Sequence, residues 1–288
     1  MSPERTKIGV DCHDGVYHVA RVVHGQGRPS VQALVRYERS HLNGHHLLKD
    51  GDVVMAVPDD RVIVKKLHLE TAGGIDLDTR ARFEMAQSLL DDESDYSFDF
   101  VDTGLENWQL ALAVRLQTVL DDIINPFSHV AGLSTVPTGL ARAAGLGYGY
   151  LTFCHPHGGE LICLVDEADG LASICFVLNQ SIVGLSRLNT KQFDLSSRAG
   201  REKLAIELKT VINFQLATLF KDRITLPMAA LLVSGKQLGD DVMTELGRYF
   251  TVPVAKPRFN SGFFAEPNKA AELPLENYLV ALGLASDN

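Results

Sequence analysis

Apolar residues fall into short strand-like runs that occur twice in the same order. Lys7 to Val10, Val16 to Val23 and Val31 to Tyr37 are rich in β-branched and aromatic residues. They are broken by Asp14-Gly15 and by Gly25-Gln26-Gly27, which predicts a three-strand meander. The pattern returns as Leu161 to Val165, Leu171 to Val177 and Ser181 to Leu188, broken at Asp169-Gly170 and Asn179-Gln180. Each copy carries one signature after its first strand: Asp11-Cys12-His13-Asp14-Gly15 and Asp166-Glu167-Ala168-Asp169-Gly170. The repeat predicts two related half-domains facing each other, with the two Asp-Gly turns lining one cleft. Asp-Gly is also the commonest tight hairpin turn, because glycine takes positive φ freely, so a purely structural reading stands beside the functional one.

A different block separates the copies. Val53 to Val57 and Val62 to Leu67 predict two strands around Pro58-Asp59-Asp60. Asp76 is placed to cap a helix from Leu77 to Leu90, with Phe83, Ala86 and Leu90 at helical spacing. Ser97 to Val101 and Gln109 to Val114 complete a compact β-β-α-β-β insertion. Next comes a predicted helix from Thr118 to Ala131, restarting at Pro126 with Asn125 as its N-cap. Thr138 to Ala144 predicts a short helix, and the Gly- and Tyr-rich stretch 145–160 marks the boundary between halves. After the second meander, Ser196 or Ser197 caps a helix whose stripe Leu204, Leu208, Val211, Ile212, Leu216 and Leu219 packs on a sheet. Ala229 to Val233 is a buried strand ending in Ser234-Gly235. A helix from Asp240, a short strand at 252–254 and a closing helix from Glu276 to Leu284 follow. The chain therefore divides into residues 1–52, an insertion at 53–116, return helices at 117–150 and a second half at 151–288.

Composition narrows the function classes. At 45% hydrophobic residues the chain can bury a full core. A net charge of −9, from 27 basic and 36 acidic residues, argues against nucleic-acid binding and anionic membrane surfaces. Cys12, Cys154, Cys163 and Cys175 form no Cys-x-x-Cys pair and sit in or beside apolar runs, as in a reducing compartment. No apolar run reaches the roughly 18–20 residues needed to span a bilayer. The polar start, Met1 to Lys7, predicts no signal segment. A cytoplasmic location follows, with any membrane association made through a partner.

Several pieces together resemble the actin-like ATPase superfamily (actin, Hsp70, sugar kinases), and within it the PilM-like proteins of type IV pilus assembly and the cytoplasmic domain of type II secretion protein L. They are Ile8-Gly9-Val10-Asp11, the Val57-to-Leu69 stretch, Asp95-Tyr96-Ser97-Phe98-Asp99-Phe100, Ala131-Gly132-Leu133, Leu232-Val233-Ser234-Gly235 and Tyr278 to Ala285. The resemblance implies a duplicated α/β fold of the actin-like, ribonuclease H-like kind. Each half would hold a mixed sheet and helices, with a small inserted α/β subdomain. It further implies a cytoplasmic scaffold docked on a short segment of an inner-membrane pilus or secretion protein (PilN-like), with self-association open. By the same resemblance, Asp11, His13, Asp14, Gly15, Asp166, Asp169, Gly170, Ser234, Gly235 and Lys236 line the nucleotide cleft.

The loops depart from the superfamily pattern. Its phosphate loops read Asp-x-Gly, the first followed by Ser or Thr, so that backbone amides and a hydroxyl cradle phosphate. Here His13 stands at the first Gly, Asp14 at the hydroxyl and Ala168 at the second Gly, and only Gly235 remains of the adenosine-side glycines. Asp11, Asp14, Asp166, Glu167 and Asp169 would crowd one cleft. Unit charges about 4 Å apart interact by roughly 4 kcal/mol at an effective dielectric of 20, so a triphosphate would be repelled unless Mg²⁺ intervened. ATP binding is expected to be weak and hydrolysis lost, with no resident cofactor. The alternative is a working Mg²⁺-dependent ATPase or phosphotransferase, in which Asp11 and Asp166 hold the metal and Lys236 neutralises phosphate. His41 with His45, and Cys154-His155-Pro156-His157, are weak metal candidates, the first lacking the following Glu and the second lacking another ligand pair.

Overall fold

The structure is a computed structural model that describes residues 4–13, 15–38, 46–68, 77–105, 108–127, 138–155, 159–219 and 227–286. Both meanders form as the repeat predicts. β1 (Arg5–His13), β2 (Val16–His24) and β3 (Ser30–Glu38) pair antiparallel. β4 (Asp52–Val57) then adds parallel to β1. β5 (Val62–His68), β6 (Tyr96–Asp102) and β7 (Trp108–Arg115) make a separate antiparallel sheet in the order β5-β7-β6. Helix α1 (Leu77–Ala86) packs on that sheet. β8 (Thr138–Ala141) completes the first sheet, in the order β3-β2-β1-β4-β8. The second sheet repeats this plan as β11-β10-β9-β12-β13. Its meander is β9 (Leu161–Ala168), β10 (Leu171–Leu178) and β11 (Ser181–Asn189), followed by parallel β12 (Met228–Gly235) and β13 (Val254–Ala255).

Helix α2 (Arg142–Phe153) and helix α5 (Leu279–Leu284) pack on each other between the two sheets. Helices α3 (Arg198–Leu219) and α4 (Asp240–Tyr249) cover the outer face of the second sheet. The continuous apolar run of β9 follows from burial on both faces. Ile162 and Leu164 join the core shared with α2, α5 and the first sheet, while Leu161, Cys163 and Val165 pack under Leu204, Leu208, Ile212, Val242 and Leu246. Ser197 caps α3, its Oγ accepting from the Gly200 amide at 3.1 Å.

The fold corrects several expectations. β4 belongs to the first sheet, so the inserted sheet starts only after Val57. The buried face of α1 is Ala81 and Met85; Phe83 and Leu90 are exposed, and the helix stops at Ala86. Residues 116–127 are helical, but nothing restarts at Pro126. Asn125 has helical dihedrals, and its amide bonds back to Leu120 within a π-helical stretch, Val119–Ile124, a widened turn next to the residue that lacks an amide proton. The expected helix at 138–144 is strand β8 up to Ala141, and the expected Gly- and Tyr-rich boundary is largely α2. The Asp76 cap, the His41/His45 pair, Asp14, His157 and Ala131-Gly132-Leu133 lie outside the described residues.

The glycines of α2 mark a helix crossing. A β-carbon on Gly149 would lie 2.0 Å from the Leu279 carbonyl oxygen, and one on Gly283 would lie 1.8 Å from that of Gly145. On the other side of α5, a β-carbon on Gly9 of β1 would lie 1.8 Å from the Ala281 carbonyl oxygen. Backbone meets backbone at all three points, so nothing can swing aside. Gly9→Ala and Gly149→Ala are each expected to lower stability by about 3 kcal/mol or more, read as a lower urea midpoint. Gly247→Ala, in exposed helix with open space around it, is expected to raise stability by up to about 1 kcal/mol.

Candidate functional site

Asp11 and Asp166 sit at equivalent places in the two meanders, near the ends of β1 and β9, with relative exposures of 0% and 3%. The side chain of Arg142, first residue of α2, lies between them. Its Nε donates to Asp11 Oδ1 and its Nη2 to Asp11 Oδ2, each at 3.1 Å, and Nη2 also donates to Asp166 Oδ2. Nη1 reaches Ser173 Oγ at 3.3 Å. Ser173 and Ser234 flank Asp166 on the neighbouring strands β10 and β12, so their side chains share its face of the sheet. Ser234 Oγ donates to Asp166 Oδ1 at 2.6 Å, and Ser173 Oγ donates to Asp59 Oδ2.

Asp59 lies in the turn after β4 and is buried. Its Oδ1 accepts from the Ala143 amide at 3.0 Å, which satisfies one of the free donors at the start of α2 and suits the helix dipole. Arg187 of β11 donates through Nη1 to the carbonyls of Asp59 and Val62. His13 Nδ1 lies 3.1 Å from Asp11 Oδ2, and its ring stacks on His18 with centroids 4.2 Å apart.

Burial alone would raise the Asp11 carboxyl. Arg142 and His13 more than reverse this and hold it well below the usual carboxylate range. His13 is raised, its bond to Asp11 outweighing burial. His18 is driven down to about 4, first by burial and then by His13. Burial raises Asp59 in spite of its hydrogen bonds to Ser173 and Ala143. Arg142 is raised, the two carboxylates overcoming its burial.

The expected site residues separate into groups. His13, Gly15, Asp169 and Gly170 line a cleft of about 810 Å³, together with Arg142, Ser173, Arg187 and Lys191. Asp11, Asp166 and Ser234 form the buried floor behind Arg142. Glu167 is buried and braces the second hairpin, its Oε1 accepting from the Gly170 amide at 2.9 Å and from Thr190 Oγ1 at 3.1 Å. Gly235 packs on the Glu167 backbone, where a β-carbon would lie 2.3 Å from its carbonyl oxygen. Lys236 is exposed and does not line the cleft.

Arg142, Asp59, Ser173 and Arg187 escape the motif search. For Arg142 the sequence does hold a signal: a single charge inside Gly139-Leu140-Ala141-Arg142-Ala143-Ala144, where a buried cation demands paired anions. With Arg142 in place, the described residues of the cleft floor do not fit a divalent cation. Asp11 Oδ1 and Oδ2 and Asp166 Oδ2 accept from the guanidinium, and Asp166 Oδ1 accepts from Ser234.

No protein-family model matches the chain, and no curated protein matches it in sequence. Among solved structures it is similar to the PilM-PilN type IV pilus biogenesis complex, at 14% identity over 97% of each chain, with a TM-score of 0.65. It is also similar to a protein with actin-like ATPase fold and unknown function from Bacteroides thetaiotaomicron, at 9% identity over 93% of this chain and 95% of that one, TM-score 0.52. The cytoplasmic domain of EpsL, an inner membrane component of the type II secretion system of Vibrio cholerae, matches at 11% identity over 86% and 94%, TM-score 0.46. Two sheets of one topology, facing each other across a cleft floored by paired aspartates, agree with the first two likenesses: the chain has the actin-like ATPase fold.

Proposed function

We propose that the chain is a PilM-like cytoplasmic scaffold of a type IV pilus or type II secretion assembly, held at the inner membrane by a short segment of a PilN-like partner and working without a resident nucleotide. The observation that carries this reading is a second groove, of about 370 Å³, where the inserted sheet meets the first sheet. It is lined by two edge strands, β6 (Ser97 to Phe100) and β8 (Gly139 to Ala141), with Val54, Val57, Leu112 and Val114 beside them. Edge strands offer backbone donors and acceptors to an added extended segment. The mixed walls offer its alternate side chains both aliphatic contacts (Val54, Leu112, Leu140) and polar ones (Lys7, Asp99, Ser286). The PilM-PilN likeness, which spans nearly all of both chains, supports a partner of that kind. Among the described residues no helix is long and apolar enough to cross a membrane.

In this reading the cleft at Asp11 and Asp166 is structural. Calorimetric titration with ATP is expected to give no Mg²⁺-dependent heat up to about millimolar ligand, which corresponds to less than roughly 4 kcal/mol of binding. Micromolar, Mg²⁺-dependent binding or turnover would establish the ATPase alternative instead.

The partner groove is tested with a synthetic peptide of the cytoplasmic segment of the PilN-like protein from the same genome. Saturable binding is expected, weakened at least about tenfold by Leu140→Arg, which replaces an aliphatic lining side chain with a longer, charged one. Unchanged affinity in a folded Leu140→Arg protein would remove the groove from the proposal, and no binding to the wild type would remove the partner.

A further inference from the structure

We infer that Arg142 is a built-in substitute for a divalent cation: it ties the loop carboxylates of the two halves together and fixes the spacing of the halves across the cleft with no ligand present. The inference deepens the reading of the cleft as one that works without nucleotide, and rests on it.

The two halves meet through a chain of buried polar contacts. From the first half, Arg142 bonds Asp166 and Ser173 of the second. In return Ser173 bonds Asp59, and Arg187 bonds the carbonyls of Asp59 and Val62. All four side chains, Arg142, Asp59, Asp166 and Ser173, are buried. A metal bridging Asp11 and Asp166 would join the same two halves, but it would arrive from solution and leave again. The guanidinium is covalently part of α2, always charged, and presents several donors in one rigid plane, so it can hold both carboxylates at once.

Further contacts keep it there. Asp59 pins the start of α2 through the Ala143 amide. The glycine crossing then fixes the helix on α5, so that Arg142 cannot retreat from the carboxylates without moving the helix. On the rim, Arg61, Arg187 and Lys191 are interspersed with Asp60 and Asp169, so the cleft presents no single-sign field to draw in a charged ligand.

The test compares the wild type with Arg142→Met and with a variant, Asp11→Asn/Arg142→Met/Asp166→Asn, that keeps the shapes and removes all three charges of the group together. Three readouts are used: amide hydrogen exchange at the β1–β2 and β9–β10 hairpins, radius of gyration by small-angle scattering with and without Mg-ATP, and Mn²⁺ binding by electron paramagnetic resonance. The wild type is expected to keep one radius of gyration and to bind no Mn²⁺ saturably. Arg142→Met is expected to exchange at least about tenfold faster at both hairpins and to gain a saturable Mn²⁺ site. The triple variant should share the faster exchange without the metal, and it carries the exchange comparison if Arg142→Met does not fold. Three results would overturn the inference: contraction of the wild type on adding Mg-ATP, a wild-type Mn²⁺ site lost in Asp11→Asn, or unchanged exchange in a folded variant lacking Arg142. Peptide binding measured on the same samples separates the two ideas. A protein that captures the PilN-like segment but contracts on Mg-ATP loses only the latch, and one that keeps the latch but ignores the segment loses only the partner.

Discussion

The guanidinium of Arg142 between Asp11 and Asp166 is the contact on which the arrangement of the two halves depends. Buried carboxylates facing one another would repel by several kcal/mol, and a lone buried cation would be worse. The guanidinium lies between the two carboxylates and offsets one of their two charges, and Ser173, Ser234 and His13 supply further hydrogen bonds to the group. Such a group adds little net stability compared with an apolar core of the same volume. Removing one member is what costs heavily, of order 3–5 kcal/mol, because the others stay buried and unpaired. The triad therefore acts as a constraint on geometry: only one spacing of the two sheets satisfies it.

That spacing is set from the other side by the crossing of α2 and α5. Where Gly145, Gly149 and Gly283 meet, the helices touch through their backbones, and Gly9 lets β1 approach α5 equally closely. The close crossing fixes α2 between the sheets and brings its first residue up to the carboxylates. Packing of small residues in the middle of the molecule and the ion group at the floor of the cleft are two ends of one helix. Asp59 joins them, since it accepts from the first turn of α2 and from Ser173 of the facing sheet.

These causes explain what the sequence displayed and what it hid. A strand meander is a local pattern, and the twofold Asp-x-x-Asp-Gly was enough to place both copies and the two floor aspartates. Ser197 at the start of α3, and the stripe Leu204, Leu208 and Ile212, were legible for the same reason. The stretch 138–153 was not. Its glycines read as loop because glycine weakens isolated helices, whereas here the space beside Gly145 and Gly149 is taken by α5 and that beside Gly147 by Cys175 and Ile182 of the second sheet, a long-range fact. The strand β8 was hidden because Thr-Gly-Leu-Ala has no alternation and is chosen by its parallel partner β4. β4 itself was assigned to the insertion because a hairpin-like turn joins it to β5, yet its register with β1 puts it in the first sheet. Arg142 fell between these two misreadings, so the cation that pairs with both floor aspartates was absent from a charge count made from the motifs alone.

The same geometry bears on how a nucleotide fold can serve another purpose. Where the contacts that join two halves come with a ligand, shape follows occupancy. When a side chain of the protein makes those contacts, the spacing no longer depends on a ligand, and surfaces formed at that spacing persist. The groove between β6 and β8 shares Ala141 and Tyr148 with the strand and helix that position Arg142. A fixed α2 therefore keeps one wall of that groove in place before any partner arrives. Preorganisation of this kind lowers the ordering cost of binding an extended segment, the main cost such complexes face. A fixed spacing of the two halves and a preformed groove wall then trace to the same helix, whose first residue is the buried arginine.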